Sequence, residues 1–214
     1  MAWNARIGQL QFLTMDEGPI GHLEQIEAAC QAGIRWIQLR MKQVSEDQYL
    51  YTAREAKTIC DRWDCALIIN DRVAVAKEIK AYGVHLGKED MPVGEAREEL
   101  GKDFIIGGTA NTAEDVLAHC IDGADYIGLG PYRYTTTKKK LSPVLGLEGY
   151  RRIMDKLKEE QVSIPVVAIG GLLMEDMKGL MQAGVYGAAF SGLLVHAADR
   201  QEIVGALKQQ FSSI

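Results

Sequence analysis

The chain has 214 residues, of which 47% are apolar and 25% are charged, and its net charge is −5 at pH 7. This composition is ordinary for a globular protein and excludes a disordered chain, and the acidic balance argues against a nucleic-acid partner. No apolar run reaches the length of a membrane span, and the first residues lack a signal-peptide core. We therefore expect no membrane partner, a cytoplasmic location and one domain over residues 1–214, because no linker-like segment divides the chain.

Eight short apolar segments predict β-strands. They lie near residues 9–14, 35–39, 66–70, 82–86, 104–108, 125–129, 165–169 and 185–190. Several of them are apolar at nearly every position, which is typical of strands that are covered on both faces.

The segments between these strands predict helices. Ser45 and Gln48 have capping-box spacing before one helix, and two further helical segments end at Gly123 and Gly184. Eight strand–helix units in about 200 residues predict an α/β fold, a single-domain (β/α)8 TIM barrel. The main alternative is a doubly wound open sheet, which should carry a glycine-rich fingerprint after its first strand, and "FLTMDEG" is not one.

Reactive groups of such a barrel collect at the C-terminal ends of its strands. The side chains and glycines predicted there are Gln38, Arg40, Lys42, Asn70, Asp71, His85, Asp90, Thr109, Thr135, Thr137, Lys138, Gly170, Gly171 and Ser191. This mixture of cations and hydroxyls predicts binding of phosphorylated small molecules. The two glycines, in a short loop before a helix, would add backbone amides for a phosphate.

Two acids, Asp71 and Asp90, follow neighbouring predicted strands. Ion pairs with the surrounding cations are one explanation for them. The other is a magnesium site, because Mg²⁺ is often held by one or two carboxylates together with substrate phosphates. The sequence predicts two anionic ligands and one metal ion at this rim.

Motifs of several common enzyme classes are missing from the sequence. It has no G-x-S-x-G elbow, no H-E-x-x-H, no zinc-ligand spacing and no Walker A loop. We interpret His85 as a hydrogen-bonded core histidine slightly in preference to a catalytic one. The four cysteines form no C-x-x-C pair, and they predict buried reduced thiols in preference to metal ligands or disulfides.

Six segments in order, "QLRMK", "INDR", "GVHLGKEDMP", "GADYIGLGP", "TTTKK" and "IPVVAIGG", resemble those of the thiamine-phosphate synthase family, also called thiamin-phosphate pyrophosphorylase. The resemblance implies a transferase of thiamine biosynthesis. It would join 4-amino-2-methyl-5-(diphosphooxymethyl)pyrimidine to a thiazole phosphate with Mg²⁺, and would release pyrophosphate.

Carried over residue by residue, the resemblance implies that Gln38, Arg40, Lys42 and Asn70 bind the pyrimidine diphosphate, and that Asp71 and Asp90 hold the metal. Thr135, Thr137, Gly171 and Ser191 would hold the thiazole phosphate, and Thr109 stands where the family has a serine near the pyrimidine. Leu39, Met41 and Thr136 lie inside the same motifs and Phe190 directly precedes Ser191; all four are predicted substrate contacts. Arg40, Lys42 and Lys138 are the predicted catalytic residues, since they can stabilise negative charge on the leaving pyrophosphate.

Departures from the family pattern leave these charges and hydroxyls in place. Met41, Lys88, Asn111, Tyr134 and Thr136 differ from the residues usual in the family. Two alternatives remain open: a thiazole tautomerase-like isomerase of the same superfamily, and a phosphate-ligand sensor without catalysis. The sequence is also compatible with a homo-oligomer.

Overall fold

The strands lie where the apolar segments predict them, and together they close a parallel barrel. The computed structural model describes residues 6–134 and 142–212. The strands are β1 (Leu10–Leu13), β2 (Trp36–Leu39), β3 (Ala66–Asn70), β4 (Gly83–Leu86), β5 (Ile105–Ala110), β6 (Tyr126–Leu129), β7 (Val166–Ile169) and β8 (Gly187–Phe190). They pair in chain order, and β8 pairs in turn with β1, with Leu10 opposite Ala188. The predicted (β/α)8 barrel is confirmed, and the open-sheet alternative is wrong.

Helices alternate with the strands around the outside of the barrel. In the described residues they are α1 (His22–Gln31), α2 (Glu46–Arg62), α3 (Val73–Glu78), α4 (Val93–Leu100), α5 (Ala113–Ile121), α6 (Gly146–Glu159), α7 (Asp176–Gln182), α8 (Gly192–Val195) and α9 (Arg200–Ser212). None of these helices is both long and apolar enough to cross a membrane.

Several helix ends follow from local sequence. Ser45 caps α2 by accepting a hydrogen bond from the backbone N–H of Gln48 at 3.2 Å. Thr112 and Asp115 form a reciprocal capping box at the start of α5. Gly123, after α5, has a φ of +86°, a left-handed conformation that glycine adopts without steric cost. These caps explain why the boundaries agree closely with the pattern of the sequence.

Two features after β7 and β8 differ from the prediction. The helical segment expected from Leu172 to Gly184 begins only at Asp176, because residues 172–175 are not helical and Met174 and Glu175 form a turn. The Asp176 carboxylate accepts a hydrogen bond from the backbone N–H of Leu173 at 2.6 Å, which stabilises this irregular approach. The short helix α8 was not predicted, because four residues are too few for a helical period to be visible in the sequence.

Strand alternation sorts the side chains into two buried layers. Ile37 and Leu39 of β2 pack in the outer layer, between the barrel and its helices. Trp36 of the same strand packs inside the barrel with residues such as Ile68 and Tyr126. Successive strand residues point to opposite faces, so Gln38 shares the inner face with Trp36, nearer the C-terminal end.

A polar network lies inside the barrel below the strand ends. His85 Nδ1 is 3.0 Å from the Tyr126 hydroxyl, His85 Nε2 is 3.0 Å from Thr109 Oγ1, and Gln11 Nε2 donates to the Tyr126 hydroxyl at 3.2 Å. Gly107 makes room for this network, since a Cβ there would come within 2.2 Å of Tyr126 Cζ. His85 is thus hydrogen-bonded at both ring nitrogens, as the favoured interpretation of the sequence expects.

Candidate functional site

The C-terminal ends of β2, β3 and β4 bring most of the predicted polar residues together. Leu39 lies opposite Ile69, and Asn70 lies opposite His85. This register places Gln38, Asn70 and His85 on neighbouring strands at similar heights in the barrel. The residues that follow these strands therefore meet around one opening.

Two buried amides at this opening have unused hydrogen-bonding atoms. Gln38 and Asn70 are 1% and 6% exposed. Within the described residues, Gln38 Oε1 and Asn70 Nδ2 have no hydrogen-bond partner. A buried polar atom without a partner costs about 1–3 kcal/mol. An unpartnered acceptor and an unpartnered donor on adjacent strands are suited to a flat ligand that carries both kinds of group.

Arg40 follows β2 and is 8% exposed. Its backbone N–H donates to Thr14 Oγ1 at 2.9 Å, which fixes the chain at the point where the strand ends. Burial lowers the pKa of the Arg40 guanidinium, and the negative charges of Asp16 and Asp71 partly offset that effect. A guanidinium held in a mostly dry position is well placed to bind a phosphate or diphosphate.

Lys42 lies two residues further on and contacts acids on both sides. Its Nζ is 3.6 Å from Asp71 Oδ2, and its backbone N–H donates to Asp16 Oδ2 at 3.3 Å. The side chain is 43% exposed, so it can reach a ligand in the opening. Asp16 comes three residues after β1, and sequence reasoning did not select it, although the strand-end rule applied to β1 would have.

Asp71 and Asp90 form a close pair of carboxyl groups. They lie within hydrogen-bonding range of each other, and burial together with the charge of Asp90 raises the pKa of Asp71 to about 6. Asp71 has a φ of +65°, and Asp90 is oriented by a hydrogen bond from the backbone N–H of Gly87 at 2.6 Å. Two acids held this close repel each other when both are ionised.

This acid pair fits a magnesium ion. Mg²⁺ binds oxygen ligands and is commonly held by one or two carboxylates plus phosphates. Burial and the neighbouring Asp90 carboxyl both raise the pKa of Asp71, and the charge of Lys42 offsets this only in part. A divalent cation would remove that repulsion. The donor set therefore agrees with the ion that the sequence predicts.

Thr109 lies at the C-terminal part of β5 and belongs to the same opening. Its hydroxyl contacts His85 Nε2, and its carbonyl oxygen is 3.0 Å from His119 Nε2. The Thr109 side chain is half-buried. The two histidines thus fix the position of this threonine from the inside and the outside of the barrel.

On the opposite side of the opening, Gly170 and Gly171 follow β7. Their φ angles are +98° and +68°. The carbonyl oxygen of Gly171 accepts a hydrogen bond from Arg133 Nη1 at 2.7 Å. A Cβ on Gly171 would come within 2.5 Å of Arg133 Cγ, so both backbone shape and close approach require glycine here.

Ser191 follows β8 and comes immediately before α8. A short extra helix after the last strand, together with the loops after the seventh and eighth strands, often forms the phosphate site of such barrels. Ser191, the N-terminus of α8 and the Gly170–Gly171 loop have that arrangement in this chain. The opening therefore has an acidic and cationic side at β2–β4, and a glycine-rich side at β7–β8.

Some predicted contacts face elsewhere or lie outside the described residues. The side chains of Leu39, Met41 and Phe190 are 0%, 5% and 5% exposed and pack in the outer core. Ligand contacts at these three positions would have to come from the backbone. The remaining predicted residues, Thr135, Thr136, Thr137 and Lys138, lie outside the described residues.

The sequence profile of the thiamine monophosphate synthase family matches residues 12–193. A thiamine-phosphate synthase of Bacteroides fragilis is 51% identical over 193 residues, which cover 90% of this chain and 95% of that protein. A thiamine-phosphate synthase of Flavobacterium johnsoniae is 41% identical, over 94% of this chain and 95% of the relative.

Solved structures agree with these sequence similarities. A thiamine phosphate pyrophosphorylase from Pyrococcus furiosus superimposes with a TM-score of 0.83 at 30% identity, covering 98% of each chain. A 3-hexulose-6-phosphate synthase superimposes with a TM-score of 0.68 at 15% identity, covering 94% of this chain and 99% of the other, which shows a shared fold alone. The resemblance found in the sequence is confirmed: the chain belongs to the thiamine monophosphate synthase family.

Proposed function

We propose that this chain is a thiamine-phosphate synthase that joins 4-amino-2-methyl-5-(diphosphooxymethyl)pyrimidine to a thiazole phosphate at the opening described above. Membership of the family and 51% identity to a thiamine-phosphate synthase over most of the chain support this activity. The chain is accordingly a transferase of thiamine biosynthesis. The products are thiamine phosphate and pyrophosphate.

One observation carries the assignment of the reacting side of the opening. Lys42 Nζ is 3.6 Å from Asp71 Oδ2, and Asp71 lies within hydrogen-bonding range of Asp90. This arrangement suits a metal-bound diphosphate: Asp71 and Asp90 would hold the metal, and Lys42, a flexible cation, would be free to contact the phosphate oxygens. Arg40 adds a second, buried positive charge on the same strand end.

The proposed metal ligands are Asp71 and Asp90. When bound, Mg²⁺ would neutralise negative charge on the diphosphate and so make it a better leaving group. By holding the metal ion, the two acids would place its positive charge beside the departing pyrophosphate. Arg40 and Lys42 would bind the diphosphate oxygens directly and orient them, and we assign Lys138 the same role on the basis of the family resemblance.

The reaction needs no general base from the protein. The bond between the pyrimidine methylene carbon and the diphosphate oxygen breaks, and its electron pair leaves with pyrophosphate. The electron-rich aminopyrimidine stabilises the cation that forms. The thiazole nitrogen then donates its own lone pair to the methylene carbon. The protein contributes charge stabilisation and alignment of the two substrates.

We assign the pyrimidine ring to the two unpartnered amides. Gln38 Oε1 can accept from an amino group, and Asn70 Nδ2 can donate to a ring nitrogen. Thr109, held by His85, would lie beside the same ring. The binding of the ring would therefore satisfy polar atoms that the protein alone leaves unpaired.

We assign the thiazole phosphate to the glycine-rich side. Gly171 and Ser191 border the loops after β7 and β8, where backbone N–H groups and the N-terminus of α8 favour a phosphate. Thr135 and Thr137 would complete this subsite, with Thr136 beside them. A cytoplasmic location, a single domain over residues 1–214 and a homo-oligomeric state remain predictions.

The decisive experiment incubates the purified chain with both substrates, with and without Mg²⁺, and follows pyrophosphate and thiamine phosphate. We expect both products only with Mg²⁺. Asp71→Asn and Asp90→Asn should each lower turnover by about 100-fold or more, whereas Asp103→Asn, which changes an exposed acid after α4, should not. Isomerisation of the thiazole without condensation would favour the tautomerase, and ligand binding without product would favour the sensor.

A further inference from the structure

Three cysteines from separate segments meet in the core behind β2 and β3. Cys30 lies in α1, Cys60 in the last turn of α2 and Cys65 directly before β3. Their Sγ atoms all lie within 4.8 Å of one another, and their side chains are 0%, 0% and 1% exposed. The activity proposed above uses none of the three, so the cluster needs its own explanation.

The backbone fixes the three thiols in place. The N–H of Cys65 donates to the carbonyl oxygen of Cys60 at 2.9 Å, which closes the turn between α2 and β3. The carbonyl oxygen of Cys30, at the end of α1, accepts from Arg35 Nη1 at 2.8 Å. The thiols are thus brought together by two packed helices and a strand, which are rigid parts of the barrel.

The three thiols influence one another's protonation. Hydrogen bonds from Cys60 and Cys65 lower the pKa of Cys30. Interaction with Cys30, together with burial, raises the pKa of Cys60 and Cys65. Three sulfur atoms within 4.8 Å of one another have the arrangement that a single central atom bonded to all three requires.

We propose that Cys30, Cys60 and Cys65 form a binding site for a soft, three-coordinate trivalent ion, with arsenic(III) as its representative. Thiolate sulfur selects soft ions. A central atom with bonds of about 2.3 Å to three sulfurs holds those sulfurs about 4 Å apart or less. The observed limit of 4.8 Å leaves only a small movement of the Sγ atoms for the bonds to form.

The net charge of the complex favours a trivalent ion over a divalent or monovalent one. Arsenous acid and three thiols give As(SR)3 and three waters: three As–O bonds and three S–H bonds break, three As–S bonds and three O–H bonds form, and no atom is oxidised or reduced. The product is neutral. Three thiolates around Zn²⁺ or Cu⁺ would instead leave a net negative charge in an apolar core, which is costly.

The number of available ligands also favours arsenic(III) over zinc. The described part of the chain adds no fourth cysteine, histidine or carboxylate to the group. Structural zinc sites are almost always four-coordinate, whereas arsenic(III) is complete with three sulfurs and a lone pair. Because the thiols are buried, the ion must enter through local opening of the helix ends, so binding will be slow.

The test uses the 214-residue chain, reduced and freed of small thiols, incubated with arsenite and then desalted. Intact-mass spectrometry and elemental analysis should show one arsenic per chain, with the mass of one arsenic atom gained and three hydrogens lost. Circular dichroism should show an unchanged fold. The folded chain should retain arsenic better than the same chain in guanidinium, since the fold brings the sulfurs together.

Single cysteine variants test which thiols form the arsenic site. Cys30→Ala, Cys60→Ala and Cys65→Ala should each weaken retention at least tenfold, while Cys120→Ala, at the half-buried cysteine of α5, should retain arsenic like the parent chain. Serine variants, which keep the side-chain shape, replace any alanine variant that does not fold. The proposal is overturned if the folded parent chain takes up no arsenic, if a folded cluster variant retains it fully, or if Zn²⁺ or Cu⁺ binds and arsenite does not.

Discussion

Arg133 and Asp176 form a two-pronged ion pair. Arg133 Nη1 is 2.7 Å from Asp176 Oδ2, and Nη2 is 2.9 Å from Oδ1. Asp176 is 7% exposed, and the same guanidinium donates to the carbonyl oxygen of Gly171. The pair therefore joins the chain just before residues 135–141, where the predicted threonines lie, to the glycine loop after β7.

Arg133→Ala should weaken binding of the thiazole phosphate more than it slows the chemical step. The substitution leaves a buried carboxylate without its partner and removes the link between the two halves of the proposed phosphate subsite. We expect a loss of about 1–3 kcal/mol in the free energy of unfolding and a rise in KM for the thiazole phosphate that exceeds the fall in kcat. Denaturant titration and initial rates measure both.

Arg151→Ala is the matched control for Arg133→Ala. Arg151 forms an exposed ion pair with Glu148 on α6, and such pairs contribute about 0–1 kcal/mol. This variant should leave both KM values unchanged. A change in KM for the pyrimidine substrate alone in Arg133→Ala would contradict the assignment of the two sides of the opening.

Asn70 and Asn111 offer a second matched comparison, since both are 6% exposed. Asn70 Nδ2 has no partner within the described residues, whereas Asn111 Nδ2 donates to the carbonyl oxygens of Gly130 at 2.8 Å and Pro143 at 2.9 Å. Asn70→Leu should leave the metal-free, ligand-free protein as stable or more stable, because it removes a buried unpaired group. It should raise KM for the pyrimidine substrate about tenfold or more.

Asn111→Leu should behave in the opposite way. It breaks two hydrogen bonds that hold together the ends of the segment containing residues 135–141, so we expect a loss of about 1–3 kcal/mol in the free energy of unfolding. Equal losses of stability in the two variants would mean that Asn70 is already satisfied without a ligand. Thermal and denaturant unfolding without substrates distinguish these outcomes.

The raised pKa of Asp71 predicts a pH dependence of stability. Its folded-state pKa is about 6, against an ordinary value of 3.8, so between these values the folded protein binds more protons than the unfolded chain. The contribution of Asp71 to the stability of the metal-free protein is therefore present at low pH and is lost as pH rises through about 6. Asp71→Asn should be more stable than the parent chain at pH 7.5, by about 1–3 kcal/mol.

Subtracting the two pH profiles removes the effects of carboxyl groups that do not interact with Asp71. Asparagine tolerates the positive φ of this position, so the backbone should stay in place. Adding Mg²⁺ at pH 7.5 should stabilise the parent chain and leave Asp71→Asn unchanged. A difference that does not grow between pH 4 and pH 7.5 would show that the acid pair is not strained.

Gly171→Ala should impair the thiazole phosphate subsite. The φ of +68° and the closeness of Arg133 both oppose a Cβ. Gly101→Ala is the control: Gly101 has a φ of +76°, and within the described residues a Cβ there would meet open space. Both variants should lose about 1–3 kcal/mol through backbone strain, and only Gly171→Ala should raise KM for the thiazole phosphate.

The strands could be predicted because each is a short apolar segment with a definite start and stop. β3, for example, was expected at residues 66–70 and is Ala66–Asn70. The start of α7 could not be predicted. It depends on a hydrogen bond from the Leu173 N–H to the Asp176 carboxylate, and no periodic pattern in the sequence indicates that bond. The strand-end rule then placed Gln38, Asn70 and Asp71 at one opening.

Contacts between distant segments were not predictable. Cys30, Cys60 and Cys65 meet only because α1 packs on α2, and no spacing rule joins them. Asp16, in contrast, could have been predicted, since it follows β1 just as Lys42 follows β2. Arg133 was missed because its partner, Asp176, lies 43 residues away. The side chains of Leu39 and Phe190 face the helices, as strand alternation would have indicated.

The glycine beneath His85 and Tyr126 also bears on how such an enzyme can evolve. Any larger residue at Gly107 would collide with both rings, so a side chain at this position would displace the hydrogen-bonded pair. Changes in the loops after the strands do not meet this obstacle. The loops are therefore an easier place than Gly107 to alter what the opening binds, in natural drift and in laboratory evolution alike.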